Sequence, residues 1–353
     1  MDDKAQHPPS TDEVYSTPRN QGGVINKLYP PGPQPGAKAR FRNHCRKFWW
    51  CDCLVLAIIV LIILLPIIYV AIPNKAQHDI NASTLEVTSL VITNPTEKGV
   101  HVNLSSVIKS NSSYHPVIDG FVAGLSVDRQ APFIHINVPG LKSQKETPVT
   151  VDQDVSFTSL EAFTNFTKAV LGSETFHVNL DGKPNIHLKG LPTMNVNYDK
   201  VVSTKGLNKL QGLNITSIKL LSGATELLAD GSNLVGTLFI PNPSIMTLDL
   251  GNVTMNLAVD DTPIGYALIP NLVVKPGNNT VPIQAHVEPI IVYGLVSSKY
   301  KNGIIPLDVT GNSTVSHGHN LTYYAEALRS NTVRVNLNVG PALATLGINA
   351  TKS

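Results

Sequence analysis

The apolar positions of this chain follow two different rules. From Leu54 to Ile72 they are nearly unbroken: nineteen residues carry no charge, and fifteen of them are Leu, Ile or Val. As a helix this run is about 28 Å long, close to a bilayer core of roughly 30 Å. It has no polar face at any helical angle, so it predicts a membrane span rather than a core helix. Pro66 lies inside it and predicts a kink. Beyond the run the period drops to two. "GVHVNLSSVI" (99–108), "FIHINV" (133–138), "FHVNLDG" (176–182), "MNVNYDKVV" (194–202) and "VRVNLNVG" (333–340) all alternate apolar and polar residues. Alternation of this kind predicts strands with one face in a core and one in water. Asn-Pro, Pro-Gly and Asp-Gly pairs punctuate them as turns. One stretch, Thr158–Gly172, reads as a helix. Thr158 or Ser159 caps it, Leu160, Phe163, Phe166 or Thr167, and Val170 form its apolar stripe, and Gly172 ends it.

A repeat organises the strands. "LEVTSLVITNPTEKGVHVNLSSV" (85–107) and "GTLFIPNPSIMTLDLGNVTMNL" (236–257) both run strand, Asn-Pro, turn, alternating strand. The expected fold class is therefore mainly β: a disordered N-terminal tail, one transmembrane helix and two tandem β-sandwich domains. The expected boundaries are a disordered cytosolic tail at 1–40, a basic juxtamembrane segment at 41–53, and a signal-anchor helix at 54–72. A first sandwich follows at 73–200, a linker at 201–212 and a second sandwich at 213–353.

Charge gives the span a direction. Lys38, Arg40, Arg42, Arg46 and Lys47 precede it, whereas Lys75 is the only Lys or Arg between it and Lys98. Positive charge is retained on the cytosolic side, so the N-terminus is expected in the cytosol and residues 73–353 in a lumen or outside the cell. A cleaved signal peptide would need a shorter apolar region and a small-residue cleavage site, and "YVAIPNKAQ" is a poor one. Ten N-x-S/T sequons, at Asn81, Asn103, Asn111, Asn165, Asn214, Asn252, Asn278, Asn312, Asn320 and Asn349, all follow the span. They are the expected N-glycosylation sites. The three cysteines, Cys45, Cys51 and Cys53, all precede the span. They are candidate palmitoylation sites, and the 281 residues after the span hold no disulfide. The tail, with "YPPGPQPGAK" (29–38), is a spacer or a ligand for a proline-recognition domain, and its protein partners are unknown. Net charge is +3 before the span and −1 after it. The basic cluster suits anionic lipid head groups, and nothing suggests nucleic-acid binding.

The strands that run into Asn94-Pro95 and Asn242-Pro243, the alternating strands after them and a second strand with Pro near its start resemble the Val-x-Asn-Pro layout of the late-embryogenesis-abundant type 2 (LEA-2, or WHy-like) domain. With the Pro-rich tail and "RNHCRKFWWC" before the span, the layout is similar to a fungal family of single-span proteins that carry a domain of unknown function, DUF3712. The resemblance covers about residues 35–350. It implies LEA-2 β-sandwiches, a proposed lipid-binding or lipid-transfer role, and a vacuolar membrane, since a yeast member of the family resides there and is linked to terminating autophagy.

Chemistry is harder to find. The chain has no G-x-S-x-G, H-E-x-x-H, Walker or dinucleotide-binding motif. "SHGHN" (316–320) offers too few ligands for a metal and reads as a glycosylated loop. His101, His135 and His177 fall in the polar phase of their strands. "AVDDTP" (258–263) reads as a turn. No enzyme, cofactor or metal is expected. Two classes remain. One is a membrane-anchored binding protein whose sandwich holds lipid or another apolar ligand, which predicts a groove lined by Val, Ile, Leu and Phe with few charges. The alternative is a structural or interaction protein at the vacuolar or cell surface with filled sandwiches. The vacuolar membrane is favoured and the plasma membrane is second.

Overall fold

The computed structural model describes residues 37–221, 226–345 and 347, with side chains from Lys47 onward. Most of the expected tail, the Cys45 side chain and the sequon at Asn349 lie outside the described residues. The chain divides into two compact units, Met1–Leu65 and Pro66–Ser353.

In the first unit, helix α1 (Ala37–Pro66) is broken at Phe48, whose φ of −123° leaves the helical region. The break separates the basic segment from the apolar run. Trp49 and Trp50 pack edge to face at 5.6 Å and are exposed, the position of interfacial aromatics. The helical run Lys47–Ala82 is long and apolar enough to cross a membrane, and its apolar window buries nothing against the protein. The second unit begins at Pro66. A π-turn (Ile67–Ala71) follows the proline and closes with a hydrogen bond from the Ile72 N–H to the Ile67 carbonyl.

The helix resumes as α2 (Ile72–Ala82) and leads into strands. These are β1 (Thr84–Thr93), β2 (Gly99–Lys109), β3 (Val117–Ile118), β4 (Phe121–Val127), β5 (Ile134–Val138), β6 (Leu141–Lys142) and β7 (Glu146–Ser156). Helix α3 (Leu160–Gly172) precedes β8 (Thr175–Gly182), β9 (Asn185–His187), β10 (Met194–Asn195) and β11 (Tyr198–Lys205). The stretch 201–212 holds the end of β11 and a short 3-10 turn (Asn208–Leu210). The chain continues with β12 (Asn214–Leu220), β13 (Leu234–Asn242), β14 (Met246–Val259), β15 (Thr262–Val274) and β16 (Gly277–Val287). It ends with α4 (Pro289–Ser298), β17 (Ile304–Ser316), β18 (His319–Asn320), α5 (Thr322–Arg329), β19 (Thr332–Asn338) and α6 (Gly340–Ala344).

One sheet runs β12-β13-β16-β15-β14-β1-β2-β7, with β17 joining β14 to β18 and β19. Its only parallel pairing among the described strands is β1 to β14, over Leu90–Ile92 and Met246–Leu248. A four-stranded sheet, β11-β8-β4-β5, faces β1, β2 and β7, and the two together enclose an apolar interior. A third small sheet, β10-β9-β3-β6, covers one end. The alternation behaves as its period requires: along β2, Val100, Val102, Leu104 and Ser106 are buried while the residues between them are not. Each of these aliphatic side chains contributes about 1.5–3 kcal/mol by leaving water.

Helix α3 starts where expected, with Ser159 Oγ accepting the Ala162 N–H at 3.2 Å. Its buried side runs through Phe163, Phe166 and Val170, whereas Leu160 stays exposed. Phe166 stacks on Phe133 at 4.3 Å and Phe163 on Phe157 at 4.0 Å. The two Asn-Pro segments of the repeat diverge in pairing. Asn94-Pro95 joins β1 to its antiparallel neighbour β2. After Asn242-Pro243 the chain leaves β13 for β14, which does not pair with it. Asn242 makes the difference: it is buried, its Oδ1 accepts the Ser244 N–H at 2.9 Å, and its Nδ2 donates to the Met246 carbonyl at 2.8 Å. That turn redirects the backbone, whereas Asn94 lies in a left-handed conformation (φ 48°) suited to a hairpin.

Candidate functional site

The site is assembled on α2. Its Ile72, Ala76 and Ile80, spaced four apart, form one apolar stripe. The stripe packs on a small core of Ile118, Ile186, Met194 and Val196, separate from the main one. Polar contacts fix the helix along its length. Gln77 Nε2 donates to the Asn197 carbonyl and Gln77 Oε1 accepts the Asn197 N–H, both at 2.8 Å. Ser112 Oγ donates to Asp79 Oδ2 at 2.7 Å, and Lys75 pairs with Asp79.

The C-terminal end of α2 is closed by Lys200. Its Nζ donates to the carbonyls of Ile80, Asn81 and Ser83. Helix ends leave carbonyls without intrahelical partners, and a cation there also meets the negative end of the helix dipole. Lys200 is buried. Burial lowers its pKa and neighbouring Asp199 opposes that effect. Three acceptors for three N–H groups let the ammonium remain inside.

Between α2, the small sheet and the loop at 110–116 lies a cavity of about 340 Å³, within the range of roughly 300–1,000 Å³ typical of ligand sites. Its wall begins at Ala71 and Ile72, the last residues of the apolar run, and extends to Ser83 and Tyr198. It is lined mainly by Ile72, Ala76, Ile80, Ile118, Ile186 and Leu188, with Lys75, Asp79 and Lys189 among its polar members. Ile108, Ile118, Leu141 and Tyr198 also line the interior between the two facing sheets, where about 90 Å³ is open. The voids of the second half are about 70 and 50 Å³. Both are smaller than the cavity beside α2.

Tyr198 stands where cavity and interior meet. It is 5% exposed, and its hydroxyl has no hydrogen-bond partner in the protein. Burial raises its pKa far above the ordinary phenol value, so it is a neutral O–H donor at any physiological pH. Neither Lys200 nor Tyr198 was expected as a site residue. The signal was present: Met194, Val196, Tyr198, Lys200 and Val202 share the inward phase of one alternating stretch, and a lysine there needs buried acceptors.

The residues singled out from sequence are dispersed. Asn81, Asn111, Asn165, Asn214, Asn252, Asn278, Asn312 and Asn320 are exposed, and Asn103 is half-buried with its Nδ2 donating to Asp152 at 3.0 Å. Cys51 and Cys53 are free and exposed. His101 lies between Asp152 and Asp154, 2.8 Å from each. His135 contacts the Thr158 hydroxyl at 3.0 Å, and His177 is 3.9 Å from Asp128. His317 and Gly318 form the turn between β17 and β18, and Asp260 and Asp261, both at positive φ, form the turn between β14 and β15. Among the described residues no group of three or more His, Cys, Asp or Glu side chains is arranged to hold a metal ion.

A family model described as "Protein of unknown function (DUF3712)" matches residues 131–257. The matched stretch holds Ile186, Leu188, Tyr198 and Lys200 of the site and stops short of α2. No curated protein matches the chain. Solved structures that match include the periplasmic chaperone SfaE, 11% identical, covering 72% of this chain and 100% of that one, with a TM-score of 0.19. They also include the CupB6 tip adhesin from Pseudomonas aeruginosa, 10% identical, covering 57% of this chain and 88% of that one, with a TM-score of 0.19. At these TM-scores neither likeness bears on function.

Proposed function

For a chain that carries a DUF3712 region at residues 131–257 and one helix able to cross a membrane, we propose a non-enzymatic, single-pass membrane protein that takes a lipid from the bilayer into the cavity beside α2. The cavity itself carries this reading. It measures about 340 Å³, it is largely apolar, and its wall starts at the residues that end the apolar run. In this reading a lipid enters from the adjacent leaflet, so that its apolar part avoids crossing water, which is the costly step. The cytosolic N-terminus, the glycosylated lumenal region and the vacuolar membrane belong to the same proposal, supported by flanking charge, sequon distribution and family resemblance. A second reading, a glycosylated structural or interaction protein without a ligand, is favoured by the smaller voids of the β12–β19 half, about 70 and 50 Å³.

The test uses the full chain in vesicles that contain phosphatidylcholine with a photoreactive acyl chain. Adducts on residues 72–83 and 186–198 support lipid entry. Adducts confined to 54–71 show a helix that merely faces lipid, and they end the proposal.

A further inference from the structure

The rim of the cavity bears on which lipid it takes, an inference that rests on the lipid reading above. Inside, Ile118 and Ile186 are buried and, with Ile80, make the wall apolar. At the rim, Lys75, Tyr114 and Lys189 are its exposed polar members. Local structure fixes both lysines. Lys75 stands on α2 three residues past Ile72, about 4.5 Å along the helix from the end of the apolar run. Lys189 tips a tight turn in which the Leu191 N–H donates to the Leu188 carbonyl at 3.0 Å and Gly190 takes the positive φ of 84°. Leu188 and Leu191, the two ends of that turn, both line the cavity.

Charge at this rim is unbalanced. Asp79 is held by Lys75 and Ser112. Asp119, just past β3, is held by His187 at 2.7 Å. The Lys189 ammonium and the hydroxyls of Tyr114 and Ser143 have no partner among the described residues. The wall thus carries two ammonium groups against one carboxylate, and these three unpartnered groups can all donate.

We infer that the site selects an anionic phospholipid, with one acyl chain along Ile80, Ile118 and Ile186 and the phosphate at the rim, held by Lys189 with Lys75 beside it. Ionised phosphate oxygens accept hydrogen bonds, which suits a rim of free donors, and bonds between charged partners are the stronger kind. A choline head brings a cation of its own, which meets the two lysines as like charge. At the inner end a phosphate would lose water to apolar side chains, so the head stays outside.

The experiment uses the full chain in vesicles that contain phosphatidate or phosphatidylcholine, each with the same photoreactive acyl chain at equal mole fraction. Adducts on residues 76–83, 110–118 and 186–191 are counted by mass spectrometry relative to those on 54–71, which corrects for lipid gathered around the span. Phosphatidate should label the cavity about fivefold more than phosphatidylcholine, the upper range for one exposed ion pair. Lys189→Gln should remove that preference and leave phosphatidylcholine labelling and the melting temperature unchanged. Inorganic phosphate equimolar with the phosphatidate should not compete, because it brings no acyl chain. Loss of the preference to that phosphate, but not to chloride at equal ionic strength, would assign the rim to free phosphate and overturn the selection of a lipid. Labelling by phosphatidylcholine equal to or above that by phosphatidate, or a preference that survives Lys189→Gln, would keep the lipid reading and overturn selection by this rim. Labelling of the cavity by neither lipid would overturn both.

Discussion

At the scale of single residues, Lys200 and His101 make opposite uses of charge. Lys200 is enclosed and fully hydrogen-bonded. Lys200→Met keeps most of the stem and removes the donors to the Asn81 and Ser83 carbonyls, while Ile80 still accepts from the Ser83 N–H and Oγ. The expected cost is about 1–3 kcal/mol, with faster amide hydrogen exchange across residues 76–83. Unchanged exchange there would show that the lysine does not hold the helix. His101 sits on a sheet face between two carboxylates. Its pKa is raised from 6.5, first by its hydrogen bond to Asp154, against the opposing effect of burial, with Asp152 adding to the rise. The folded state therefore holds the proton more tightly than the unfolded chain. The stabilisation is complete below the unfolded value and is lost as pH rises through the folded one. Wild type should accordingly melt higher at pH 5.5 than at pH 8 by a margin that shrinks in His101→Asn. An equal margin in both proteins would exclude this histidine as a source of acid stability. A gain of this sign suits an acidic compartment.

At the scale of elements, period-two alternation made the strands readable, because a half-buried strand has few other ways to place its side chains, and a capped apolar stripe did the same for α3. Burial followed the pattern in β2 and in 194–202. Pairing was less legible. Both Asn-Pro segments look alike as strings, and only the buried hydrogen bonds of Asn242 distinguish a crossing from a hairpin. The helix α2 was missed because "PNKAQHDINAS" is polar and short, and its stability comes from Gln77, Asp79 and distant Lys200 rather than from propensity. The cavity was missed for the same reason, since its walls come from segments more than a hundred residues apart. A bulge illustrates what local sequence does encode. At Gly251 (φ 66°) β14 changes its neighbour from β1 to β17, and a Cβ there would lie 2.5 Å from the Val315 carbonyl oxygen. Gly251→Ala should cost more than 1 kcal/mol by strain and collision together, read as a lower melting temperature by circular dichroism. Full retention of stability would mean the strand can yield at that bulge.

At the scale of the whole molecule, α2 follows the apolar run in the chain and walls the cavity within the second unit. The rigid attachment of α2 in its unit gives the cavity a fixed wall where a flexible linker would give none. The proposed orientation has its own check. Chain produced in a eukaryotic cell should lose several glycans' mass on treatment with an N-glycan amidase, and an unchanged mass would contradict a lumenal placement of residues 73–353. The central claim, that the cavity beside α2 holds a lipid, is tested most directly by counting lipids on the protein. The full chain and Ala76→Phe, which fills the cavity from the α2 side, are washed into detergent, released and weighed intact by native mass spectrometry. One lipid retained per wild-type chain and none on Ala76→Phe is the predicted result. Equal retention by the two, or none on either, would contradict it.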